Sequence, residues 1–170
     1  MESNPRMSDV SDGALVELAA LLDRLAADGE TVAVAESLTG GLVCSTLVAV
    51  PGASRVVAGG IVAYQTDVKA TVLGVSESLL AERGAVDPDV ALAMARAVRS
   101  KFGATIGLST TGVAGPDRQD GVAVGTVFVA LVSDRDDVVE KFEFDGTRDD
   151  IRHLAVGASL RLLENSLHAE

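Results

Sequence analysis

Short runs rich in Val and Ala alternate with stretches of helical periodicity over the first two thirds of the chain. This alternation narrows the choice of fold more than any other feature. Leu15, Val16, Leu18, Leu22 and Leu25 recur at helical spacing after Ser11-Asp12, and Gly29 is a fitting stop. Residues 31–35 read as a short buried strand ending at Glu36-Ser37, after which Thr39-Gly40-Gly41 opens a second apolar helix closed by Pro51-Gly52. Residues 56–66 are a strand candidate interrupted by Gly59-Gly60, which suggests a bulge or a close backbone approach. Asp67, Ser76 and Asp87-Pro88 each stand where a helix can start, the third of these running through Phe102. Residues 105–109 are again strand-like and run into the loop Thr110-Thr111-Gly112-Val113-Ala114-Gly115-Pro116. Residues 124–132 and 138–144 make a hairpin joined by 133–137, although Val139, Phe142 and Phe144 break strict alternation in its second arm. Thr147-Arg148-Asp149-Asp150 resembles a capping box with Asp in place of Glu or Gln, and the last helix runs from there to about residue 163.

Strand–helix alternation followed by a hairpin predicts an α/β protein, a three-layer α/β/α sandwich around a mixed β-sheet. The reading places one domain over residues 11–166, a frayed polar stretch at 1–10 and a short tail at 167–170. Composition agrees: hydrophobic residues make up 48% of the chain but aromatics only 3%, so the core must be built from Ala, Val, Leu and Ile. Such a core suits helices on a Val-rich sheet better than an aromatic-lined barrel. The same Ala- and Val-rich helices offer a self-association surface, and a homo-oligomer is expected. The net charge of −11 argues against nucleic acid and against an anionic membrane surface as partners. A small substrate remains, even an anionic one, if a few local donors hold it against the overall field. Cys44 is the single cysteine, so no internal disulfide exists, a reducing compartment fits, and its apolar neighbours read as a buried helix face. No apolar run reaches the ~18 residues of a spanning helix, the N-terminal stretch lacks a signal-peptide plan, and a cytoplasmic location is expected.

Two loops leave strands with hydroxyls beside glycines: Glu36-Ser37-Leu38-Thr39-Gly40-Gly41 and residues 110–116. In an open α/β sheet such loops expose ligand-binding groups, and glycine lets backbone N–H groups approach an anion or oxyanion. Tight turns capped by Ser and Thr are the alternative for either loop. Neither loop matches a dinucleotide fingerprint or a P-loop. The two histidines, His153 in the final helix and His168 in the tail, offer no triad, and no G-x-S-x-G elbow is present. No His/Cys cluster has metal-ligand spacing and the scattered carboxylates form no constellation, so a zinc hydrolase is not expected. Lysine is left as a base for a hydroxyl nucleophile. Lys101 ends a helix and Lys141 lies among acidic neighbours in the hairpin, whereas Lys69 follows Ala63-Tyr64-Gln65-Thr66-Asp67, where strand turns into helix. A half-buried Lys69 can be neutral enough to accept a serine proton; a solvated helix lysine is the other reading, and spacing does not decide between them.

These segments resemble the CinA C-terminal domain, or nicotinamide-nucleotide amidohydrolase, family. The resemblance rests on Val34-Ala35-Glu36-Ser37-Leu38-Thr39-Gly40-Gly41, Gly60-Ile61-Val62-Ala63-Tyr64 with Lys69, Gly84-Ala85-Val86, Thr111-Gly112-Val113-Ala114-Gly115-Pro116 and Val124-Gly125-Thr126-Val127, and it runs from about residue 15 to residue 163. It implies a Ser–Lys amidase that removes ammonia from nicotinamide mononucleotide without metal or cofactor. By position, Ser37 would be the nucleophile and Lys69 its base, with Tyr64 relaying or orienting the proton and Thr111 holding the substrate or the lysine. Backbone N–H groups over residues 38–41 would serve as oxyanion donors. Thr39, Gly40, Gly41, Gly112, Gly115, Arg148 and Arg152 would contact the substrate, the two arginines as candidates for its phosphate. Many members carry Cys where this chain has Leu38, and the larger N-terminal domain of full-length CinA proteins has no counterpart in the sequence. Two other readings stay open: a non-enzymatic CinA-like binding or regulatory domain, and a Ser–Lys amidase for a different amide.

Overall fold

The computed structural model describes residues 12–167; the expected fray at 1–10, and residues 168–170 of the expected tail with His168, lie outside the described residues. Five strands form one mixed sheet in the order β2-β1-β3-β4-β5. The strands are β1 (Val32–Glu36), β2 (Val57–Val62), β3 (Ile106–Gly112), β4 (Thr126–Val132) and β5 (Asp137–Glu143). β1 pairs in parallel with β2 and β3, while β4 runs antiparallel to both β3 and β5. The helices are α1 (Asp12–Ala27), α2 (Leu42–Val48), α3 (Thr66–Thr71), α4 (Glu77–Arg83), α5 (Pro88–Phe102) and α6 (Arg148–Asn165). The sequence-predicted α/β class, with helices on both faces of a mixed sheet, is the observed one.

Strand alternation sorts side chains between the two faces. Val32 and Val34 of β1, Ile106 and Leu108 of β3, and Val127, Val129 and Leu131 of β4 pack with α1, α2 and α6. Ala33 and Ala35 point the other way, toward Val90, Met94 and Val98 of α5, while Ala130 and Val132 of β4 meet Ala91 and Ala95 of the same helix. Burying each such Val or Leu contributes about 1.5–3 kcal/mol, so an almost aromatic-free core suffices. The small residues on the α5 side let that helix lie close to the sheet. At Gly107 a Cβ would fall 2.0 Å from the Ala95 carbonyl oxygen.

Asp87 accepts from the Asp89 amide with Pro88 at the first position of α5, Ser76 accepts from the Leu79 amide, and Thr147 with Asp150 forms the reciprocal capping box of α6. The bulge suspected near Gly59-Gly60 occurs as a register shift, Val32 pairing with Val57 but Ala33 with Gly59. Three expectations are corrected. β2 ends at Val62, and residues 63–65 form the turn into α3. Asp67 lies inside the first turn of α3, whose N-cap is Gln65, and its carboxylate bonds the next amide, Val68, rather than capping from outside. β3 extends through Gly112 because Thr110 and Thr111 pair with Val129 and Phe128 of β4, so those threonines belong to the sheet and not to a loop. The hairpin's irregular second arm is resolved by facing: Phe142 and Phe144 pack toward α1 and α6, while Val139 packs toward α5. Among the described residues, no helix is long and apolar enough to cross a membrane.

Candidate active site

β1 lies between β2 and β3, and the chain leaves its C-terminal end for α2 on one face while β2 leaves for α3 on the other. Such a divergence opens a crevice at the carboxyl edge of the sheet. A cleft of about 590 Å³ occupies this edge, walled by Ser37 and Leu38 after β1, by residues 64–67 after β2, by residues 112–115 with Asp117 and Gln119 after β3, and by Arg148 at the start of α6.

Alternation at the end of β1 sends two adjacent side chains in opposite directions. Glu36 points to α2. It is only 1% exposed, and its two carboxylate oxygens accept the backbone N–H groups of Gly41 (2.9 Å), Val43 (3.1 Å) and Cys44 (2.8 Å). Ser37 points to α3, where Lys69 is equally buried. Lys69 Nζ lies 3.0 Å from Ser37 Oγ, 2.9 Å from the Ala63 carbonyl oxygen and 3.2 Å from that of Tyr64. The turn after β2 therefore brings two carbonyls to the lysine that follows it, and the solvated-helix reading of Lys69 is set aside.

Burial disfavours the charged ammonium and pulls the Lys69 pKa down from the ordinary lysine range to about 8. Among the described residues it forms no ion pair that would oppose this. In the structure Nζ donates to all three partners. In the neutral amine two N–H groups can serve the two carbonyls, which frees the lone pair to face the Ser37 hydroxyl. A hydroxyl and an amine in this relation can transfer a proton as the oxygen attacks an electrophile.

Other anticipated residues are placed differently. Tyr64 is 55% exposed; its hydroxyl accepts from Arg148 Nη2 at 2.7 Å, so only its backbone carbonyl reaches Lys69. Thr111 is buried on the α5 side of β3 and donates its hydroxyl proton to the Ala85 carbonyl at 2.7 Å, which ties β3 to the start of α5 instead of holding Lys69. Thr39 is buried behind the cleft, its hydroxyl sharing a 2.7 Å bond with that of Thr110. The Gly40 amide donates to the Ser37 carbonyl and the Gly41 amide to Glu36, so neither is free for a ligand. Glu36 fills, from within, the anion position that the glycine pair and the start of α2 suggested. Arg152 does not line the cleft; it donates to the carbonyls of Leu38 (3.1 Å) and Thr39 (3.2 Å).

Gly112 and Gly115 do line the cleft, as does Arg148, whose Nη1 donates to the Gly115 carbonyl. Cys44 is half-buried, and burial together with nearby Glu36 raises its thiol pKa, away from nucleophile chemistry. His153 is exposed beside Asp149. Among the described residues, no cluster of three or more His, Cys, Asp or Glu could hold a metal ion. The residue that sequence reading missed is Glu36. Its signal was present: a carboxylate at an even-numbered position of a strand whose even positions face α2, five residues before Gly41.

Comparison with known proteins agrees with this fold. The model of the CinA family, described as the CinA C-terminal domain, matches residues 16–167. A CinA-like protein of Frankia casuarinae is 50% identical over 137 residues, which is 81% of this chain and 32% of that protein. The chain spans about a third of the length of the curated relatives it matches. Among solved structures, a competence-damaged protein (CinA) superfamily protein from Enterobacter cloacae superposes with a TM-score of 0.86 at 31% identity, covering 98% of this chain and 99% of its own. The competence/damage inducible protein CihA from Agrobacterium tumefaciens superposes with a TM-score of 0.81 at 30% identity, covering 99% of this chain and 100% of its own.

Proposed function

The chain belongs to the CinA C-terminal domain family, and from that premise we propose that it is a nicotinamide-nucleotide amidohydrolase. It would convert nicotinamide mononucleotide to nicotinic acid mononucleotide and ammonia through a Ser37–Lys69 pair. The observation that carries the reading is the 3.0 Å contact between Lys69 Nζ and Ser37 Oγ, made by a buried lysine whose pKa is pulled down to about 8.

In the proposed reaction Ser37 Oγ attacks the carboxamide carbon while neutral Lys69 takes the hydroxyl proton. The developing oxyanion needs amide donors. Ser37's own N–H is bonded to the Thr110 carbonyl, and those of Gly40 and Gly41 are also bonded within the protein. The Leu38 and Thr39 amides have no partner among the described residues and are the donors assigned here; one such donor is worth about 3 kcal/mol in comparable sites. As the carbon–nitrogen bond breaks, protonated Lys69 returns the proton to the leaving nitrogen, which departs as ammonia. Water then attacks the acyl-serine with Lys69 again as base, and Ser37 recovers its proton as the acid is released.

The phosphate of the substrate is assigned to Arg148, the cationic side chain that lines the cleft, with the backbone of residues 112–115 beside it. Asp67 and Asp117 line the same cleft, so the site is not a general anion trap. A guanidinium with fixed donors is the group suited to discriminate there.

The test is to incubate the protein with nicotinamide mononucleotide and follow ammonia and nicotinic acid mononucleotide together, beside Ser37→Ala and Lys69→Ala. Matched product formation that both substitutions abolish, with folding intact, supports the dyad. Unchanged turnover in Ser37→Ala overturns it. No turnover by the folded wild type moves the reading to a different amide or to a ligand-binding domain.

A further inference from the structure

The loop after β1 is held from two sides. Glu36 takes the amides at and beyond Gly41, while Arg152, reaching over from the second turn of α6, takes the carbonyls of Leu38 and Thr39. Arg152 is absent from the lining of the cleft, and its distance of 3.6 Å to Asp149 fixes the guanidinium further on its own helix.

Peptide geometry makes this arrangement directional. In a trans peptide the C=O of one residue and the N–H of the next point in opposite directions. The Leu38–Thr39 bond is trans, as the cis bond among the described residues is Gly115–Pro116. With the Leu38 carbonyl drawn to Arg152 Nε, the Thr39 N–H must therefore point away from the guanidinium. Among the described residues that N–H has no partner, and neither does the Leu38 N–H before it, although Leu38 and Thr39 are both buried. A buried amide without an acceptor is costly unless a ligand or a transient charge uses it. Rotation of this peptide would bring the Thr39 N–H back toward Arg152, where two donors would face each other.

We infer that Arg152 is a positioning residue, locking the Leu38–Thr39 peptide so that its N–H stays aimed at the oxyanion formed on Ser37 attack. The inference rests on the Ser37–Lys69 reading. It does not rest on which amide is the substrate. It replaces the expectation that Arg152 contacts the substrate's phosphate.

The experiment measures the rate at which a fluorophosphonate labels Ser37 in the wild type, Arg152→Lys and Arg152→Met, with circular dichroism confirming the fold of each. In labelling, Ser37 Oγ forms a bond to phosphorus, its proton passes to Lys69, and fluoride leaves from phosphorus. The phosphoryl oxygen draws on the same amide donors. Arg152→Met is expected to label roughly 10–100-fold more slowly, approaching the loss seen when one oxyanion donor is removed. Arg152→Lys, which can still hold one carbonyl, should fall between the two. Folded Arg152→Met labelling at the wild-type rate overturns the inference. If Arg152→Met does not fold, wild-type labelling by Arg152→Lys overturns it and slowed labelling supports it. Parallel turnover of nicotinamide mononucleotide and of its dephosphorylated riboside separates the roles. Positioning lowers kcat for both, whereas phosphate contact would raise KM for the mononucleotide alone. A wild type that labels at Ser37 but deamidates neither compound refutes the substrate while leaving the labelling comparison decisive for Arg152.

Discussion

Arg148 donates a 2.7 Å hydrogen bond to the Tyr64 hydroxyl, joining the start of α6 to the turn before α3 beside the candidate active site. Because the same guanidinium also holds the Gly115 carbonyl, three walls of the cleft meet at one cation. Arg148→Ala is expected to raise KM for nicotinamide mononucleotide by about 10–100-fold, the equivalent of losing a charge-assisted hydrogen bond, while kcat changes little. Steady-state kinetics on the mononucleotide and on its dephosphorylated riboside check this, since the riboside should be insensitive.

Tyr64→Phe separates two roles for the phenol. Its oxygen touches Arg148 and not the Ser37–Lys69 pair, so removing it should shift KM modestly and leave kcat and its pH dependence intact. A collapse of kcat would instead restore the proton-relay role expected from the sequence.

Lys69 links activity to stability through pH. Its folded pKa of about 8 is depressed below the ordinary lysine value, so the unfolded chain binds the extra proton between about pH 8 and the ordinary lysine value of 10.5. The stability penalty is therefore full below pH 8 and is relieved as pH rises through that window. Lys69→Met should stabilise the fold by about 1–3 kcal/mol at neutral pH, after the lost hydrogen bonds are set against the removed burial penalty, with the gain shrinking toward pH 10. In the wild type, kcat/KM should rise with pH through about 8 as the neutral amine forms. Chemical denaturation and pH–rate profiles measure the two effects.

Glu36→Ala removes the acceptor of three amides at the start of α2. A loss of about 2–4 kcal/mol is expected, seen as a fall in Tm of roughly 5–15 °C, and turnover should drop with it because Ser37 is the next residue. Glu36→Gln, which keeps one carbonyl oxygen, should lie between.

Thr111→Val keeps the shape of the side chain but leaves the buried Ala85 carbonyl without its donor. Destabilisation of about 1–2 kcal/mol with nearly unchanged turnover is expected, and thermal melting beside steady-state kinetics tests it.

Sequence patterns revealed the layers of this fold because each depends on local rules: Val and Ala alternation in β1, the Asp87-Pro88 start of α5, the Thr147–Asp150 capping box of α6. Ser37 and Lys69 were visible as candidates, but their 3.0 Å contact depends on how β1 and β2 diverge, and the family resemblance rather than spacing supplied the pairing. What local pattern concealed was direction. Its glycine-rich neighbours make Thr111 read as a loop residue; only pairing with Phe128 shows it to be in the sheet, facing α5. Gly40 and Gly41 read as offering amides to an outside anion, and only strand alternation, which turns Glu36 toward α2, shows that a carboxylate of the same segment takes that place. Arg152 sits one helical turn after Arg148, yet one faces the loop carbonyls and the other the cleft.

The most direct test of the central claim is a rapid-quench experiment with nicotinamide mononucleotide, in which the protein is denatured in acid during turnover and its mass and Ser37-containing peptide are analysed. The account predicts a transient acyl adduct on Ser37 that forms with the first ammonia and decays to nicotinic acid mononucleotide, absent in Ser37→Ala and not formed in Lys69→Met. Steady release of both products by Ser37→Ala, with no adduct on the wild-type serine, would contradict it.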